Sequence, residues 1–333
     1  MEIRNVQELW DDAKAGNPDA QTTLGTYYWR GFGVKRNRKT AIKWWKIAAE
    51  QGHSDALGRL GLAYMLGNGV EKDKCEAVRL WRIAADQGFA PAQFRLGLSY
   101  FQGDGIAQDK DEALRLWKLA AEQGYGQAKV TIGKIYYDGD GVRQDYKEAV
   151  KWFNDSPYWL GKCYLHGHGV EQNIQKTIEL WESVAEGSYS MYIELAHLYS
   201  DGIYMAPDYE KAIDWWYKAS TDDEGDPTKG VPEAMYELAC YYYEGKGVEK
   251  DPERALKCFK WAIKSYDREG GAKAYAEKVF KKEPGRIPQE IRKYFNAYRM
   301  VLKLGDKTVV RRLRSLAQKG EAEATNILKE LGI

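Results

Sequence analysis

LGLAYMLGNGVEKDKCEAVRLWRIAADQG, Leu60–Gly88, decides the fold. Its first half sets Leu60, Ala63 and Tyr64 at helical spacing, with Ala56 one turn earlier. Its second half sets Ala77, Leu80, Trp81 and Ala84 at i, i+3, i+4 and i+7. Each set is one apolar face of a helix. Between them stands Gly67-Asn68-Gly69-Val70. Glycine supplies the left-handed residue that ends a helix, so Gly67 reads as a stop. Asp73, with Glu76 three residues on, has the spacing of a capping box and opens the second helix. The stretch is a helix–turn–helix hairpin.

The same stretch is copied along the chain. Related segments begin at Leu24, Leu60, Leu96 and Ile132, in steps of 36 residues, then at Leu160, Leu195 and Leu238 after 28, 35 and 43. A period of this size means a stack of supersecondary units. Asp109/Glu112 and Asp145/Glu148 repeat the capping-box spacing, and Asn37, Asn173 and Asp251 stand at the same place as plain N-caps. A single hairpin cannot bury its broad apolar face, whereas stacked hairpins can. The column Trp45, Trp81, Trp117, Phe153, Trp181, Trp216 and Phe259 is the expected glue. Small residues at Gly61, Gly97, Gly133 and Gly161, with Ala48–Ala49, Ala84–Ala85 and Ala120–Ala121, let helix axes approach closely.

Composition agrees. The 333 residues are 44% hydrophobic and carry 50 Lys+Arg against 49 Asp+Glu, which excludes bulk disorder and a chain-wide polybasic binder. No run of about 18 apolar residues occurs, so no membrane insertion is expected. The start reads as no secretory signal. Cys75, Cys163, Cys240 and Cys258 stand far apart, which fits a reducing, cytoplasmic setting.

The pattern A-x-x-x-L-G-x-x-Y-x-x-G-x-G-V followed by A-x-x-x-W-x-x-A-A-x-Q-G resembles the Sel-one-like repeat, a relative of the tetratricopeptide repeat, over roughly residues 20–265. The resemblance implies an all-α, right-handed α/α superhelical solenoid whose first helices line a concave groove. It also implies an adaptor, scaffold or interaction protein. The cysteine pairs of some secreted bacterial relatives are missing here, which speaks against secretion.

The expected organisation is an N-terminal capping helix (1–19), regular repeats (20–153), irregular repeats (154–271) with an acidic insert (220–232), and a basic helical cap (272–333). Phe153 and Gly161 are 8 residues apart where Trp117 and Gly133 are 16 apart, so a shortened second helix and a change of superhelix direction are expected near 155. The last segment carries a net charge of +8, leaving −7 on the rest.

Candidate chemistry is sparse. The G-x-G turns lack the preceding strand and the further Gly or Gly-Lys of a phosphate loop, and read as connectors. His166 and His168 have no third ligand nearby in sequence and read as a solvated turn. Asp222, Glu224, Asp226 and Glu233 mimic calcium-loop offsets, but Pro227 replaces the glycine that the turn requires. No nucleophile–base motif stands out, so no catalytic residue, cofactor or metal is assigned.

A binding face is the stronger expectation. After each Leu-Gly, the first helix offers Leu62, Leu98, Lys134, Lys162 and His197, and one turn on Trp29, Met65, Phe101, Tyr137, Leu165 and Tyr243. These rows are expected to face the groove, because offsets of three and four share a helix face. Aromatic residues and Met there suit recognition. The reading is a non-enzymatic scaffold, monomeric, holding a protein or peptide partner. A bacterial immunity protein that neutralises a toxin is the alternative. A cell-wall enzyme, or nucleic-acid binding through the basic C-terminus, ranks lower.

Overall fold

The computed structural model describes residues 6–221 and 230–255, together with 257, 258, 261 and 262. Among them lie the helices α1 (Val6–Lys14), α2 (Pro18–Arg30), α3 (Arg38–Glu50), α4 (Ser54–Leu66), α5 (Lys74–Asp86), α6 (Ala90–Gln102) and α7 (Lys110–Glu122). These are followed by α8 (Gly126–Asp138), α9 (Tyr146–Trp152), α10 (Pro157–His166), α11 (Ile174–Glu182), α12 (Tyr189–Ser200), α13 (Tyr209–Ser220) and α14 (Pro232–Glu244). No strand occurs among the described residues. Helices α1 to α10 pack consecutively on one another, and so do α11 to α14, so this is a solenoid of helical hairpins. The chain divides into two compact units, residues 1–173 and 174–333. The acidic stretch 222–229, Phe259 and the basic segment 272–333 lie outside the described residues, and with them the calcium-like offsets.

Local sequence sets the helix ends. Gly31, Gly67, Gly103, Gly139, Gly167 and Gly245 close six first helices in the left-handed region, at φ from 70° to 84°. A side chain is strained at such φ, which is why the stop is glycine. The second helices start on side-chain caps: Asp73, Asp109 and Asp145 each accept a bond from the backbone N–H three residues on, at 2.9 Å.

The reciprocal half of the expected capping box is not made. Glu76 and Glu112 turn forward instead, and Arg79 and Arg115 grip them through two bonds of 2.7 Å each. The reason is tertiary. The cap residue's own N–H already donates to the carbonyl of the motif tyrosine in the preceding helix: Asn37 to Tyr28, Asp73 to Tyr64, Asp109 to Tyr100 and Asp145 to Tyr136, at 2.8–3.0 Å. Asn173, Asp208 and Asp251 do the same to Tyr164, Tyr199 and Tyr242. That donor is spent on closing the hairpin, so the glutamate serves its own helix. Its bond from Arg115 holds the Glu112 carboxyl below the usual carboxylate range, against the opposing effect of burial.

The second-helix column forms the core. Trp45, Trp81, Trp117, Phe153, Trp181 and Trp216 are all nearly inaccessible. In the regular repeats the Nε1/Cδ1 edge of the indole lies against a glycine of the facing first helix. A Cβ at Gly97 would stand 2.5 Å from Trp117 Nε1. That closeness lets the indole N–H reach the first-helix backbone: Trp45 donates to the Thr22 carbonyl at 3.1 Å, Trp81 to Gly58 and Trp117 to Phe94 at 3.0 Å. Each ring therefore buries its apolar surface and satisfies its polar atom at once.

Polar residues join the repeats at both ends. Gln51 and Gln123 at the close of the second helices donate to Gln21 and Gln93 at 2.7 and 2.8 Å. Those buried glutamines in turn donate to the carbonyls of Ala13 and Ala85 in the preceding unit's helix. At the other end, the first residue of a second helix reaches the next repeat's G-x-G turn. Arg38 bonds Asn68, Lys74 pairs with Asp104, and Lys110 pairs with Asp140 at 2.6 Å.

Candidate functional site

The first helices of residues 1–173 carry the predicted rows as follows. Trp29, Leu62 and Met65 are half-buried and pack together against the cluster around Trp45 and Trp81. Trp29 lies 5.1 Å from Trp45, with Arg38 over its other side at 5.3 Å. Leu98 and Phe101 pack on the Trp117 cluster, with Phe101 5.3 Å from Trp117 and Lys110 4.9 Å from the Phe101 ring. Leu165 is buried. The row beginning at Trp29 therefore spends much of its area against the second-helix column. In the row one turn earlier Leu62 and Leu98 are likewise half-buried while Lys134 is exposed, and the row is continued by Leu66, which is 56% exposed.

The shortened repeat concentrates the most distinctive chemistry. Helix α9 has 7 residues where α3, α5 and α7 have 13. Its C-cap, Phe153, stacks on Trp159 of α10 at 5.2 Å and 16°. Trp159 stands two residues before the motif Gly161, where the regular repeats carry Arg59 and Arg95. Lys134 of α8 lies over that indole at 5.1 Å and Lys162 of α10 at 5.4 Å, with Lys162 also 4.9 Å from the Tyr158 ring. The two predicted lysines thus converge on one ring, which the sequence rows do not include. The signal for it was present as an aromatic residue at a position held by polar or charged residues in the other repeats, among them Thr23, Arg59, Arg95 and Thr131.

His168 is not simply a solvated turn residue. It stacks on Tyr146 at 4.2 Å and 13°, while its Nδ1 lies 2.7 Å from the Tyr137 hydroxyl. Tyr146 is the first residue of α9 and His168 is the middle residue of the next G-x-G turn, so this stack replaces the Lys–Asp pairs of earlier repeats. His166 lies 5.4 Å from His168, and its pKa is lowered, by burial first and then by His168 and Lys162. No group of three or more metal-type side chains occurs among the described residues.

In residues 174–333, His197 stands edge-on to Trp216 at 4.9 Å and 3.5 Å from Asp201. It borders a cleft of about 510 Å³ that Asp201, Glu237, Glu244 and Lys246 also line. Tyr243 is half-buried under Lys250, whose ammonium is 5.4 Å from the ring centre. This unit also shows what the glycine does elsewhere. Ala196 occupies the glycine position, and the buried Trp216 Nε1 has no hydrogen-bond partner.

Hairpins stacked through a Trp-on-Gly contact, with a row of first-helix side chains left outward, define an interaction solenoid, and the comparisons agree. The Sel1 repeat profile matches residues 18–53, 54–89, 90–125, 132–154, 157–189, 190–223 and 232–267, more than half of the chain. The chain belongs to the Sel1 repeat family. Proteins of this family generally mediate protein–protein interaction and are generally non-catalytic scaffolds. Two solved structures are similar. One is c5321, a protective antigen of uropathogenic Escherichia coli strains displaying an SLR fold, with 28% identity and a TM-score of 0.64 over 99% of this chain and 76% of that one. The other is a Sel1 repeat protein from Oxalobacter formigenes, with 26% identity and a TM-score of 0.58 over 82% of this chain and 79% of that one. No curated protein matches the chain. Among the described residues no helix is long and apolar enough to cross a membrane.

Proposed function

We propose that this chain is a non-enzymatic scaffold that binds a protein or peptide along the outward face of its first helices. The observation that carries this is the row Leu62, Leu66, Leu98, Lys134 and Lys162. Leu66 is 56% exposed, and Lys134 and Lys162 have no carboxylate partner among the described residues. Apolar side chains beside unpaired cations, repeated from helix to helix, suit a chain laid across several repeats. A compact small-molecule pocket would instead gather its polar groups at one point. Trp29, Met65, Phe101 and Tyr137 support that face from beneath, against the tryptophan column.

The test is affinity capture from a lysate of the source organism on the full chain and on Leu66→Glu/Leu98→Glu, with far-UV circular dichroism on both. A protein retained by the parent and lost from the variant, at equal helicity, supports the face. An identical captured set on both would exclude it.

A further inference from the structure

Several cations elsewhere in residues 1–173 are paired with carboxylates. Arg59 meets Asp55, Lys74 meets Asp104, Arg79 meets Glu76, Lys110 meets Asp140, Arg115 meets Glu112 and Lys129 meets Asp155. Lys134 and Lys162 are held differently, by one shared ring. Both ammonium groups lie over the indole of Trp159, 5.1 and 5.4 Å from its centre, and neither reaches a carboxylate. Asp138 stands one turn beyond Lys134 and is exposed without pairing to it. The nearby Asp140 and Asp155 are engaged by Lys110 and Lys129. Phe153 stacks on the same indole.

Two like charges on one ring repel each other, and the indole offsets that only in part. Lys162 also contributes, after burial and His168, to lowering the pKa of His166 one turn away. On the same first-helix face, Arg95 lies over Trp81 at 6.0 Å, also without a carboxylate, beside half-buried Leu98. The face therefore presents, on three successive first helices, cations without a carboxylate partner among the described residues, with Leu98 beside the first of them.

We propose that this face in residues 1–173 is selective for an acidic, leucine-compatible peptide segment, and that the Lys134–Trp159–Lys162 cluster is where one of its carboxylates docks. The inference rests on the scaffold reading above and deepens it by naming the partner's chemistry. A carboxylate between the two ammonium groups cancels their repulsion and gains two charge-assisted contacts. The indole edge beside them takes the aliphatic part of the same side chain. Neighbouring first helices are spaced on the order of 10 Å, and an extended chain advances about 3.3 Å per residue. The segment so recognised carries an Asp or Glu at about every third residue with apolar residues between them.

The experiment is selection of a random displayed peptide library on the immobilised full chain, in parallel with Lys134→Glu/Lys162→Glu and Lys134→Arg/Lys162→Arg. Peptides enriched on the parent are then resynthesised and measured by fluorescence anisotropy. The expected result is enrichment of Asp and Glu on the parent. Affinity should fall about tenfold or more on the Glu pair, at equal helicity, and should return on the Arg pair. Raising the salt should weaken the acidic peptides as well. Enriched peptides without acidic bias, or an affinity unchanged on the Glu pair, overturn the acidic selectivity while leaving the scaffold reading in place. No enrichment on any of the three overturns both. Lys134 is exposed, so its substitution does not threaten the fold, and Trp159→Ala separates the ring's contribution from that of the charges.

Discussion

Gly97→Ala tests the contact on which the stacking depends. The new Cβ would stand 2.5 Å from Trp117 Nε1, 2.8 Å from its Cδ1 and 3.1 Å from the Ala113 carbonyl oxygen. Relaxed contacts of this kind lie at about 3.5–4.0 Å, so the indole must withdraw by about 1 Å. Trp117 is 1% exposed and has no empty space to move into without disturbing the next repeat. Withdrawal lengthens its 3.0 Å bond to the Phe94 carbonyl. A buried N–H left unpaired costs about 1–3 kcal/mol, and forcing a methyl into a filled core costs about 1–3 kcal/mol. Alanine returns about 1 kcal/mol of helix propensity. The net expectation is destabilisation of about 1–5 kcal/mol, centred near 3. Repeat six already carries this arrangement: Ala196 holds the glycine position, and the Trp216 indole N–H is buried without a partner.

Urea unfolding followed by circular dichroism and tryptophan fluorescence measures the effect. In a stack of repeats the loss can appear as a local step ahead of the main transition. Gly126→Ala is the control, since nothing lies within 4 Å of the added Cβ and the residue opens α8 in an exposed position. That variant should be neutral or gain a few tenths of a kcal/mol, about 0.4–1 at most. If Gly97→Ala matches the parent or exceeds it, the Trp-on-Gly account of the stacking is wrong.

Two further expectations concern the caps and the thiols. Asp109→Ala removes the side-chain acceptor of the Glu112 N–H and should cost about 0.5–2 kcal/mol in the same urea assay. Lys110→Ala, at the neighbouring position, breaks an ion pair whose side chains are 36% and 56% exposed, and should cost less than about 1 kcal/mol. A larger loss for Lys110 than for Asp109 would reverse this ranking. Mass-resolved alkylation of the native chain should label exposed Cys75 quickly and leave buried Cys163 and Cys240 unlabelled. Burial pushes the Cys163 thiol up to about 11, so raising the pH from 7 to 9 should still spare Cys163. Early labelling of Cys163 would contradict its burial.

The hairpins, their stops and their starts were legible in the sequence because each depends on residues within one turn. Gly67 ends α4 through its own backbone freedom, and Asp73 starts α5 by capping an N–H three residues away. Part of the binding face was legible too, since offsets of three and four place Leu62, Leu98, Lys134 and Lys162 on a common stripe. The extent to which Trp29, Phe101 and Tyr137 are covered was not. Trp29 and Phe101 are covered by the neighbouring tryptophans and by Arg38 and Lys110, which belong to another helix, and Tyr137 by Tyr146, Phe153, Trp159 and His168. His168 was read as solvated for a similar reason: its partners Tyr146 and Tyr137 are 22 and 31 residues away.

The amino-acid order alone therefore determined a repeated helical hairpin, the glycine and tryptophan positions that lock it, and the Sel1 family to which it belongs, because short-range periodicity and capping carry that information. Tertiary structure decided where side chains with a choice of partner went. Glu76 turned to Arg79 because the cap N–H was already held by Tyr64. Lys134 and Lys162 met over one indole because a shortened α9 brought Trp159 against Phe153. Long charged side chains follow the nearest available partner, and which partner is nearest is settled only once the repeats have stacked.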